Sequence, residues 1–125
     1  MACFMITMSF AERFAKEWVA AWNEHDLDRV LSHYEDDFEM SSPVIITLLG
    51  EASGTLKGKN AIRAYWAKAL QRLPHLRFEP LQVLVGIDGL SLYYKGHRGM
   101  VVEVFHFGAS GKVCRASAYY AESPA

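Results

Sequence analysis

Met100-Val101-Val102-Glu103-Val104-Phe105-His106-Phe107 decides the fold, because eight residues so apolar read as a central strand with one acid in their midst. Successive side chains of a strand face opposite sides. Val101, Glu103, Phe105 and Phe107 therefore share one face, and Met100, Val102, Val104 and His106 share the other. Both faces are mostly apolar. A carboxylate on a covered face must be paired, hydrogen-bonded or protonated, since burying it charged and alone costs several kcal/mol. Glu103 is the first candidate for chemistry on this ground. The alternative is an edge or interface residue paired with Arg115 or Arg63, because exposed acids far outnumber buried ones.

Around this stretch lie three further strand-like runs, so that residues 77–85, 90–95, 100–109 and 113–121 follow one another. Gly86-Ile87-Asp88-Gly89, Gly96-His97-Arg98-Gly99 and Ser110-Gly111-Lys112 separate them. Connections this short imply an antiparallel meander.

The first half of the chain is helical in spacing. Ser9-Phe10-Ala11-Glu12 has the form of a capping box, and Phe10, Phe14, Trp18, Ala21 and Trp22 then recur on one helical face. Asn23-Glu24-His25-Asp26 breaks this helix. Asp26 can cap a second, shorter one burying Leu27, Val30, Leu31 and Tyr34. After the turn residues Asp36 and Asp37, Phe38-Glu39-Met40-Ser41 alternates as a short strand until Pro43. Residues 44–57 show little pattern beyond apolar letters followed by Gly50, Ser53, Gly54 and Gly58, and are expected to form an irregular flap with at most a short strand. Ile62, Tyr65, Trp66, Ala69, Leu70 and Leu73 restore helical spacing, and Pro74 ends it. The expected fold is α+β, with three helices laid on one strongly curved sheet that curls into a half-cone.

At 125 residues the chain is one domain, expected over 9–121 with short termini at 1–8 and 122–125. Thirteen basic and fourteen acidic residues, scattered and nearly balanced, give no general attraction to nucleic acid or anionic lipid. No apolar run approaches the ~18 residues of a membrane span, and the first eight residues lack the basic region of a signal peptide. Cys3 and Cys114 are too few and too far apart for a disulfide scaffold, and read as reduced thiols in a cytoplasmic protein. His25, His33, His75, His97 and His106 show no metal-binding spacing. The acids between Asp26 and Glu39 lack the loop of a calcium hand, 54–59 lacks a full phosphate loop, and no serine nucleophile elbow is present. Neither a metal nor a cofactor is expected.

What remains is an acid among aromatics. With Glu103 turned toward the helices, its neighbours would come from Trp18, Trp22, Tyr34, Trp66, Val101 and Phe105, and from Cys114, Ala116, Ala118 and Tyr120 of the next strand. Small residues at 116 and 118 would leave room. An apolar wall with one carboxyl is the composition of a ligand cavity. The same Trp and Tyr residues would equally serve as core, and His106, on the opposite face, reads as structural.

Trp18-Val19-Ala20-Ala21-Trp22-Asn23-Glu24-His25-Asp26-Leu27-Asp28, Tyr34-Glu35-Asp36-Asp37-Phe38, Ser42-Pro43, Gly58-Lys59-Asn60-Ala61-Ile62-Arg63 and Gly111-Lys112-Val113, in this order of elements, resemble the SnoaL-like branch of the nuclear-transport-factor-two-like superfamily. The resemblance implies a conical α+β barrel, often dimeric through its open sheet face. It says little about activity, because the scaffold serves isomerases, dehydratases, epoxide hydrolases, cyclases and binders. Steroid isomerases of this superfamily use an Asp base with an oxyanion hole of a Tyr and a protonated Asp. By motif, Glu103 falls at the protonated acid, whereas Ser42 stands at the base and Trp18 at the tyrosine. Two of three groups are replaced, and the Asp–Arg–Asp trio of epoxide hydrolases has no counterpart.

The expectation is a homodimeric protein holding a small, largely apolar organic ligand. Glu103, Ser42 and Tyr34 are the candidate catalytic groups. Trp18, Trp22, Trp66, Val101, Phe105, Tyr94, Ala116, Ala118 and Tyr120 are the candidate binding residues. Turnover would be isomerisation, cyclisation or dehydration. The rival readings are a binder without turnover and an interaction domain with its interior packed shut.

Overall fold

A computed structural model describes residues 5–122. Helix α1 (Met8–Asn23) buries Phe14, Trp18 and Trp22 along one stripe, as their spacing requires. Its N-cap is Thr7, which accepts from the Phe10 N–H at 3.1 Å. Ser9 lies inside the helix instead, accepting from Arg13 at 2.9 Å. Asp26 caps α2 (Leu27–Leu31) by accepting from the Arg29 N–H. This helix ends before Tyr34. The tyrosine expected on its buried side instead opens strand β1 (Tyr34–Ser41), fully buried.

The expected flap contains a fourth helix, α3 (Pro43–Leu49), followed by the short strand β2 (Thr55–Lys57). Ser42 caps α3 by accepting from the Val44 N–H at 3.1 Å, Pro43 fits its first turn, and Gly50 closes it at φ 74°. The run 44–49, apolar but for Thr47, hid this helix, because one polar position in a helix of seven residues sets no period. Next comes α4 (Lys59–Arg72), burying Ile62, Tyr65 and Trp66. Strands β3 (Glu79–Val85), β4 (Gly89–Gly96), β5 (Gly99–Phe107) and β6 (Val113–Tyr120) form the expected meander.

The six strands make one mixed sheet in the order β2-β1-β6-β5-β4-β3, parallel only between β1 and β6. Its edge strands β2 and β3 do not pair, so the expected barrel is an open sheet with helices on one face. Aromatic contacts hold the two layers together: Phe14 and Trp18 of α1 meet Phe105 of β5 with ring centroids 4.9 and 5.3 Å apart. A register shift after His106 makes Cys114 an extra residue in β6, and parity reverses there. Val113 and Ala116 are both buried, while Cys114 leaves the Glu103 face on which it was expected and donates to the His106 carbonyl at 3.4 Å. Cys3 lies outside the described residues. Among those residues, no helix is long and apolar enough to cross a membrane.

Candidate ligand cavity and its buried acid

Glu103 sits mid-strand between Leu92 of β4 and Ala118 of β6, and its side chain turns inward with 4% exposure. Neither arginine considered as its partner reaches it. Arg63 pairs with Asp28, and Arg115 is exposed opposite His106 on the far face. The hydrogen-bond partner is the Tyr94 hydroxyl, which donates to Oε1 at 3.1 Å. With no cation beside it, burial pushes the Glu103 carboxyl up to about 8, and the Tyr94 bond only partly opposes this. At neutral pH the group is a carboxylic acid, with Tyr94 engaging one oxygen.

Burial, and then the nearby Glu103, holds the Tyr34 and Tyr94 phenols well above their usual range. Burial first, with Glu103 again contributing, pushes Tyr120 up to about 12. The phenols facing this acid are therefore neutral groups able to donate hydrogen bonds.

Beside the acid lies a cavity of about 560 Å³. Trp18 and Trp22 of α1 and Trp66 of α4 form one wall, and Tyr94, Val101 and Tyr120 of the sheet form another. Its lining runs from buried Trp18 and Glu103 to exposed Arg72, His97 and Arg98, so it opens to solvent on the side lined by the end of α4 and the β4–β5 turn.

The remaining candidates lie elsewhere. Phe105 is sealed beneath Phe14 and Trp18, while Ala116 and Ala118 are buried in β6 outside the lining, so they leave no space for a ligand. Tyr34 is also outside the lining. It accepts from the Trp18 Nε1–H at 2.9 Å and so fixes the indole that forms the wall. Ser42 caps α3, its hydroxyl 3.3 Å from that of Tyr120. The three proposed catalytic groups thus do not converge: Glu103 alone faces the cavity, with Tyr34 behind Trp18 and Ser42 behind Tyr120.

Sequence reasoning missed Tyr65, Met40 and Phe78 as lining residues. Tyr65 belongs to the same helical stripe as Trp66, which was the signal available for it. Met40 reaches the site because β1 runs beside β6, and Phe78 because Asn23 clamps its backbone from both sides, at 2.7 and 3.0 Å. Neither pairing has a local sequence mark. Among the described residues, no group of three or more His, Cys, Asp or Glu comes together as a metal site.

A family model described as a SnoaL-like domain matches residues 15–116. Among solved structures, a SnoaL-like protein of unknown function from Burkholderia thailandensis shares 49% identity and a TM-score of 0.91, covering 95% of this chain and 100% of that one. A protein of cystatin-like fold from Methylobium petroleophilum matches at 16% identity and TM-score 0.74, covering 98% and 82%. The epoxide hydrolase/cyclase-like enzyme SalBIII matches at 16% and 0.66, covering 89% and 90%. The last two likenesses concern the fold alone. Comparison with curated proteins finds no match.

Proposed function

The chain belongs to the SnoaL-like domain family, and we propose that it binds a small, largely apolar organic molecule in the cavity, with Glu103 as acid/base group or hydrogen-bonding anchor. One observation carries this reading: a buried carboxyl facing an aromatic cavity, bonded to Tyr94 and unaccompanied by a cation. A carboxylic acid kept neutral by an apolar site can donate to a ligand's carbonyl or hydroxyl oxygen. The catalytic form is isomerisation, dehydration or cyclisation of a carbonyl or ring compound, in which Glu103 delivers its proton to the oxygen where charge develops and the carboxylate so formed takes the carbon-bound proton, which regenerates the acid.

The second reading, a binder without turnover, is favoured by the lining itself. Its other carboxylate, Glu122, and its histidine, His97, are both exposed. The Ser42 hydroxyl, occupied as a helix cap, is no base for a carbon-bound proton.

The test has two parts. Carboxyl ¹³C titration of Glu103 is expected to give a midpoint near 8, and a value at the free-peptide ~4.3 removes the anchor. Deuterium uptake from D₂O into a bound cyclic enone, lost in Glu103→Gln, would show turnover. Binding without uptake selects the binder.

The outer sheet face is proposed to seat a second copy of this chain. Cross-strand rows there align Tyr93, Val102 and Tyr119, and Leu84, Ser91, Val104 and Ser117. Leu84 and Tyr119 are exposed at 54% and 61%. A mixed apolar and hydroxyl surface of this kind is self-complementary across a two-fold axis.

A further inference from the structure

The two ends of the cavity differ in charge. Toward the interior it is aromatic and aliphatic around a neutral acid, Glu103. At its opening stand Arg72, from the last turn of α4, and Arg98, from the β4–β5 turn. Both are exposed, and neither makes an ion pair or hydrogen bond among the described residues. His97 lies beside Arg98. Glu122 is the one acid at this end, and it pairs with neither arginine. Two guanidinium groups against one carboxylate leave the mouth electropositive.

We propose that the ligand is an amphipathic organic acid: an aromatic or alicyclic body in the cavity, one anionic group in the mouth between Arg72 and Arg98, and a carbonyl or hydroxyl at Glu103. This rests on the reading of the cavity as a ligand site and adds its substrate class. Physical costs fix the orientation. An anion at the inner end would be stripped of water beside a carboxyl with no cation to compensate it. At the mouth it keeps part of its hydration and meets the planar forks that arginine offers to carboxylates and similar anions. Exposed pairings are modest, each worth up to about fivefold in affinity, so the apolar body supplies most of the binding and the arginines select charge and direction.

The test uses two fluorescent probes of the same body. 1-Anilinonaphthalene-8-sulfonate carries an anion, and N-phenyl-1-naphthylamine does not. All three tryptophans of the chain line the cavity, so their quenching reports occupancy. At low ionic strength and pH 7 both probes are expected to bind, the sulfonate more tightly. Arg72→Gln combined with Arg98→Gln should weaken the sulfonate about tenfold and leave the neutral probe unchanged. High salt should act in the same selective way. Ala69→Phe, which intrudes on the cavity from α4, should weaken both probes. If neither probe binds, or Ala69→Phe alters neither, the cavity reading fails and this proposal with it. If the neutral probe binds as well as the sulfonate, or the arginine substitutions leave the sulfonate unaffected, the anion assignment alone is overturned.

Discussion

Glu103 illustrates how one side chain can serve a site at the expense of the fold. Its carboxyl ordinarily titrates near 4.5 and in the folded chain near 8, so the native state holds a proton that the unfolded chain has already released across that interval. Stability is fully present below about 4.5 and declines as pH rises toward 8. Glu103→Gln keeps the shape and removes the titration. The substituted protein is therefore expected to gain on the parent by a few kcal/mol between pH 5 and 8, read from urea midpoints at several pH values. Parallel curves would show that the carboxyl is not held neutral. The position of this acid was legible in the sequence, since strand parity puts Glu103 beside Val101 and Phe105 on a covered face. Its partner was less so: Tyr94 meets it diagonally from β4, whose register places Leu92 directly opposite Glu103.

At the scale of elements, α3 shows where letter patterns stop informing. All its residues but Thr47 are apolar, yet only Ile45 is buried, and its ends are set by chemistry rather than period. The Ser42 cap, Pro43 in the first turn and Gly50 in the left-handed region define it. Ser42→Ala is expected to cost about 0.5–2 kcal/mol, measured by urea denaturation, with Ser42→Thr retaining most of the stability. An alanine variant as stable as the parent would mean that the hydroxyl does not hold this helix. A similar limit applied to β6, where the extra residue at Cys114 reversed the alternation. A bulge is chosen by its neighbour strand, and its own letters carry little trace of it.

For the whole molecule, the uncovered sheet face sets the expected assembly. Val104 lies at the centre of that face, in register with Ser91 and Ser117. Sedimentation equilibrium is expected to give a dimer for the parent and a monomer for Val104→Lys, because an isologous contact repeats the charge on both sides. A parent that stays monomeric at tens of micromolar would reject the face as an interface. The sequence by itself determined the element types of the meander, the aromatic stripes of α1 and α4, and which residues share a face with Glu103, because these follow from periods of 2 and 3.6 that any folded context must respect. Tertiary structure alone decided that the sheet stays open, that Phe105, Ala116 and Ala118 fill the core while Met40 and Phe78 line the cavity, and that Arg72 and Arg98 share its mouth. Those outcomes depend on which strands lie side by side and where the helices end against them, and pairings such as Met40 with Ala116 or Asn23 with Phe78 leave no mark in local spacing.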